Sequence, residues 1–176
     1  MQQGGSFEPQ RASNFALIIP DVGDNETLVL SLKSAAIPAL QVVKKGIKFF
    51  NTVSNYAGSL SQLENLSLEY HDYIDRDVLK IIARWYAKVY CPKTGAIGWT
   101  KDYKRNGSLF LLPPGMPSSD CPGAVDSQEY NDRTYVLKGV FPITLKYPQL
   151  DHDSEGENTL ISLDLSVDLA YPKSME

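Results

Sequence analysis

The stretch ENLSLEYHDYIDRDVLKIIARWYAKVY, residues 64–90, passes from a two-residue rhythm to a helical one within a few positions. Leu66, Leu68 and Tyr70 alternate with Asn65, Ser67 and Glu69, the pattern of a strand with one apolar and one wetted face. From Val78 the apolar residues fall at Val78, Ile81, Ile82, Trp85 and Val89, which predicts one stripe along a helix of about four turns. Asp72, Asp75 and Asp77 stand before or inside its first turn, where carboxylates cap free N–H groups and suit the positive end of the helix dipole. Pro92 and Gly95 end the helix. The pattern is one helix laid across a sheet.

Outward from this stretch the chain reads as strands and loops. Residues 1–14 carry Gly, Ser, Gln and Pro and read as an arm. Phe15 to Ile19 is a short apolar strand ended by Pro20 and a turn over Asp21 to Asn25. Thr27 to Lys33 alternates, with Leu28, Leu30 and Leu32 on one face, and is expected to be a half-buried strand. Leu40 to Phe50 reads as a further strand and Asn51 to Leu63 as a polar loop, so residues 43–63 form an extended loop or hairpin. Beyond the helix, Pro92 to Asn106 is a polar connection and Ser108 to Leu112 a short strand. Pro113 to Tyr130 is a surface insertion loop rich in Pro, Gly and Ser. Thr134 to Val140 and Ile143 to Tyr147 are strands on either side of Phe141-Pro142, and Asp151 to Asn158 is an acidic turn. In the last strand Ile161, Leu163, Leu165, Val167 and Leu169 face one way, with Ser162, Asp164, Ser166 and Asp168 facing the other. The whole is expected to be a single mainly β domain, an antiparallel barrel or sandwich with one flanking α-helix.

Composition narrows the function. A net charge of −4 argues against a protein that grips nucleic acid by its phosphates. The opening residues lack an apolar leader and no apolar run approaches the roughly 18 residues of a membrane span, so a soluble chain with no membrane-spanning segment is expected. Cys91 and Cys121 lie in loop-like sequence and suit a reduced setting better than a disulfide framework. With only His71 and His152, and no Ser or Cys motif beside them, catalysis is not expected. His71, Asp72, Asp75 and Asp77 invite a metal reading, but their spacing fits neither a calcium loop nor a zinc site, and helix capping accounts for the acids. No cofactor motif is present. Arg76, Lys80, Arg84 and Lys88 recur every four residues as a basic ridge, either a solvated helix face or a docking ridge for an acidic partner.

Several of these pieces, in this order, resemble the tail tube proteins of contractile-tailed bacteriophages, the family that builds the inner tube of the myovirus tail. FEPQRASNFALII is similar to its opening arm and first strand, and TLVLSLKSAAIPAL to its second strand and Pro-containing crossover. SQLENLSLEYHDYIDRDVLKIIARWYAKVY is similar to its strand, acidic turn and helix. LKGVFPITLKYPQLDHDSEGENTLISLDLSVDLAY resembles its closing strands, with the turn at Gly139 to Pro142 and the final Ala170-Tyr171. The insertion at 113–129 departs from the simplest members.

The resemblance implies subunits that close into six-membered rings and stack into a tube, with no catalysis and no cofactor. Its implied partners are copies of itself, the tail sheath, baseplate and tail-terminator proteins, and tape measure protein and DNA in the lumen without sequence-specific binding. Type VI secretion and pyocin-like tubes and baseplate tube initiators share that implied fold. The implied setting is the virion tail, assembled in the bacterial host cytoplasm. Lumen-facing candidates are Asn65, Ser67, Glu69, Ser162, Asp164, Ser166 and Asp168, although alternation shows a wet face without showing where it lies. Ring-stacking candidates are Phe7, Arg11, Asn55, Tyr56, Ser59 and Ser61, and the sheath-facing candidates are Arg76, Lys80, Arg84 and Lys88. The alternative from another class is a monomeric β-sandwich that binds a ligand in an aromatic pocket built from Trp99, Tyr103 and Tyr130.

Overall fold

A computed structural model describes residues 13–61, 63–112, 134–148 and 159–175. The strands are β1 (Phe15–Ile18), β2 (Leu32–Ala36), β3 (Val42–Phe49), β4 (Thr52–Leu60), β5 (Leu66–His71), β6 (Arg105–Leu111), β7 (Thr134–Lys146), β8 (Leu160–Ser166) and β9 (Leu169–Pro172). The helices are α1 (Asn25–Ser31), α2 (Val78–Val89) and α3 (Thr100–Tyr103). Among the described residues seven strands form an antiparallel sheet in the order β1-β6-β7-β8-β5-β2, with β9 alongside β7, while β3 and β4 pair only with each other. The fold is mainly β with a flanking helix.

The sheet has two halves that share β7. Its residues 134–140 lie between β6 and β9, and its residues 141–146 pair with β8. The expected break at Phe141-Pro142 is therefore a bend within one strand. Gly139, at φ +67°, takes the backbone through that bend in the left-handed region that glycine tolerates. The closing strand bends with it, because Phe141 pairs Ser166 and Lys138 pairs Leu169 in one continuous register across Val167 and Asp168. On both strands the inward face shifts by one residue at the corner. Leu137 and Val140 are buried on one, Val167 and Ala170 on the other. Leu169, expected on the apolar face with Leu165 and Val167, is only half-buried, and Ala170 takes its place.

The main core holds Leu66, Leu68 and Tyr70 of β5 against Ile161, Leu163 and Leu165 of β8, with Val78, Ile82 and Trp85 of α2 closing over them. Burial pushes the Tyr70 phenol well above its usual range. The predicted stripe of α2 is the buried face, with Ile81 packed at its margin. Asp77 caps the helix, accepting from the Lys80 N–H at 2.9 Å, and the buried Trp85 indole donates to the Tyr103 carbonyl at 2.8 Å.

Two segments depart from their expected form. Residues 27–33 begin as helix α1 rather than as a strand. Thr27 donates to the Asp24 carboxylate at 2.6 Å and the Leu28 N–H reaches the Asp24 carbonyl, so a turn closes there. Thr27, Leu28 and Ser31 then fall on one buried helical face, and Leu30 of the alternating leucines is exposed. The strand of this region is β2, starting at Leu32. The loop expected over 51–63 is instead strand β4, closing a hairpin with β3. At its base the Ser61 N–H donates to the Gln41 carbonyl at 2.7 Å.

Candidate assembly surfaces

Three surfaces carry the residues singled out in the sequence. The first is the wet face of the β2-β5-β8-β7 half. The registers align Ser34, Glu69, Ser162 and Lys146 in one row, and Ala36, Ser67, Asp164 and Thr144 in the next. Within the rows Ser34 donates to Glu69 at 3.1 Å and Ser67 to Asp164 at 2.8 Å. Lys33 stands 3.4 Å from Glu69. Ser166 continues the β8 face, and Asn65 is exposed just before β5. Asp168 leaves this face for the corner, where Lys104 Nζ binds its carboxylate at 2.6 Å. The sequence reading missed Ser34, Thr144 and Lys146, which only strand pairing brings into these rows.

The second surface is the hairpin. No residue of β3 or β4 is buried, and the two strands pack on each other rather than on the body. Their register puts Lys45, Ile47 and Phe49 on one side with Tyr56 and Ser54, and Lys44 and Lys48 on the other with Asn55 and Val53. Asn55 and Tyr56 are exposed on β4, Ser59 is exposed near its end, and Ser61 closes the base. Phe7 and Arg11 lie outside the described residues. The hairpin carries three lysines and no acid, so the rest of the chain is more acidic than its net charge suggests.

The third surface is the outer side of α2. Arg76, Lys80, Arg84 and Lys88 are all exposed, but Arg76 precedes the helix and sits 4.0 Å from Glu26. The upper part of the ridge lines an open groove with Asp24, Glu26, Asp75 and Asp77. Its charge is therefore mixed at one end and basic only toward Lys88.

The residues proposed for an aromatic pocket do not converge. Trp99 is 77% exposed, while the Tyr103 ring packs edge-on against Phe141 at 5.4 Å. Tyr130 lies outside the described residues. An apolar groove of about 360 Å³ does exist elsewhere, lined by Ile37, Leu40, Tyr135, Tyr171 and Met175 among others. Among the described residues no three His, Cys, Asp or Glu side chains come together as a metal site. Cys91 is a free thiol, and Cys121 lies outside the described residues.

Neither the protein-family models nor the curated proteins contain a match to this chain. Solved structures do. A chain of the PVC sheath-tube complex, an extracellular contractile injection system in its extended state, is 12% identical with a TM-score of 0.60, over 94% of this chain and 92% of that one. The PVC sheath/tube terminator is 12% identical with a TM-score of 0.63, over 93% and 96%. The tube-terminating cap of the anti-feeding prophage is 12% identical with a TM-score of 0.62, over 93% and 90%. The class this defines is one of fold: the chain has the architecture found in these contractile injection assemblies.

Proposed function

We propose that this protein is a structural subunit of the inner tube of a contractile tail or injection particle. Six copies close into a ring, and rings stack into a hollow conduit. The observation that carries this reading is the hairpin Val42 to Leu60, which exposes Ile47, Phe49, Phe50, Val53 and Tyr56 and, among the described residues, packs mainly on itself. In a fold shared with tube and terminator assemblies, a neighbouring copy is the natural cover. Among the described residues the outermost sheet strands β1 and β2 each pair on one side, and strand addition between copies would complete them. The role is mechanical and conductive rather than catalytic.

In this arrangement the face of Ser67, Glu69, Ser162 and Asp164 lines the lumen. A ring of six chains, each at −4, and a face whose two acids match its two bases, Lys33 and Lys146, offer no surplus of positive charge to hold the phosphates of a DNA cargo. The hairpin carries stacking between rings, and Arg84, exposed midway along the outer side of α2, faces the sheath. Baseplate, terminator and tape measure proteins meet the tube at its ends and in its bore.

Electron microscopy of the purified protein over a concentration series, with mass measurement of the smallest species, tests the reading. Stacked hollow rings of six are expected. A strict monomer at every concentration overturns it. Two of the similar solved chains are a terminator and a terminating cap, which favours a second reading as a ring that ends a tube. Single rings that never stack would select it.

A further inference from the structure

The two ends of α2 differ in charge, and both expose apolar side chains. At the N-terminal end, segments 21–26 and 72–77 carry six acids against one base, Arg76. The segments lie together, since Glu26 meets Arg76 and both border one groove with Asp24 and Asp77. Ile74 there is 105% exposed and Tyr73 49% exposed. At the C-terminal end, residues 88–105 carry five bases against one acid, Asp102. Ile97 and Trp99 are both more than three-quarters exposed. Their loop is tied to the helix, with the Gly98 N–H on the Val89 carbonyl and the Cys91 N–H on the Ala96 carbonyl, both at 3.0 Å. Gly98 lies so close to the Lys88 carbonyl that a side chain has no room, which fixes the path leading to Trp99. The ammonium groups of Lys88, Lys93 and Lys101 have no partner among the described residues. A helix of 12 residues sets the two ends about 18 Å apart.

We propose that, between copies of this chain, the acidic end of α2 docks on the basic end of the next, with Tyr73 and Ile74 seated against Ile97 and Trp99. The inference rests on the tube-subunit reading only in requiring repeated contacts between copies. Opposite charge aligns the two patches, and the apolar residues at their centres give them a surface to bury. Because the patches differ and stand apart, each copy offers one to either side, and the contact is head-to-tail. A two-fold pair of antiparallel α2 helices would also match the ends. It would set Arg84 against its own copy and Lys80 against Lys88, like charges in close approach. The hairpin is the other basic segment, but its Lys44 and Lys48 lie on the side away from Ile47, Phe49 and Tyr56. Only Lys45 shares the side of Ile47, Phe49 and Tyr56, so the hairpin sets one base beside its apolar residues where 88–105 carries five.

The direct test is an Ile74→Cys, Ile97→Cys pair in a Cys91→Ser, Cys121→Ser background, assembled, oxidised and run without reductant. A ladder of covalent multimers is expected, with each single-cysteine variant no larger than a dimer. Rings or tubes that form and stay uncross-linked overturn the docking while leaving the tube reading intact. So does cross-linking of Ile74→Cys to Phe49→Cys on the hairpin instead. A parent chain that never assembles overturns both. Charge exchange gives a second arm. Glu26→Lys with Asp75→Lys, or Lys88→Glu with Lys93→Glu, should each raise the critical assembly concentration at low salt by about tenfold. An equal mixture of the two variants should restore assembly, because reversed ends then alternate with their complements. A mixture no better than either variant alone counts against the contact.

Discussion

Gly139 sits where two strands bend together, and the space around it is already occupied. A Cβ there would collide with the Asp168 carboxylate, and its φ of +67° disfavours any L side chain. The same carboxylate holds Lys104, whose ammonium also lies 5.5 Å from the centre of the Phe141 ring. Gly139→Ala should therefore cost about 1–3 kcal/mol in denaturant unfolding. The residue was visible in the sequence as a Gly-x-Phe-Pro turn, but a turn and a bend inside a strand share the same local signal. Only the partner strand separates them. Cys91 is a second case where a local contact decides chemistry. The Thr94 side chain, helped by the backbone N–H groups of Thr94 and Lys93, holds the thiol below its ordinary value. The rate of Cys91 alkylation, in a Cys121→Ser chain, should then rise at lower pH than for an ordinary thiol. Thr94→Val should move that midpoint upward.

At the scale of elements, legibility followed burial. β5 and α2 were readable because each has one face wholly in the core, so periodicity and structure coincide. α1 was not, since its leucines alternate by chance of composition while the turn at Asp24 and Thr27 closes a helix. The hairpin was half legible. β3 and β4 are exposed on both faces, so their residues show no core-driven alternation, and β4 read as loop. The Gln41–Ser61 bond at its base brings the flanking chain together. Replacing Val42 to Leu60 by a short Gly/Ser turn should thus leave the body folded by circular dichroism. Under the stacking proposal the variant forms rings in the microscope but no long tubes. Long tubes without the hairpin would remove its stacking role.

For the whole molecule, the face of Glu69, Ser162 and Asp164 can lie in the bore or outside, and only assembly separates the two. The rows themselves were partly legible, because β5 and β8 alternate cleanly, whereas Asp168 was misplaced by the corner that no single strand announces. In a cysteine-free chain, Asp164→Cys should react with a bulky polymer-linked maleimide in free subunits and be shielded in tubes. A small maleimide should reach it in both. Equal labelling by the bulky reagent in both states would place the face on the exterior.

β7 runs through both halves of the sheet, pairing β9 over residues 135–138 and β8 over 141–146, with one register shift between Pro142 and Thr144. Neither half can therefore come apart while the other persists, because each would have to break the same strand in the middle. Unfolding should be all-or-none, with the slowest-exchanging amides of β6 and β5 opening at the same free energy despite lying in opposite halves. A pull on either half is shared by the other through that one backbone, which would suit the proposed role in a tube driven by contraction: the sheet yields as a whole or holds as a whole.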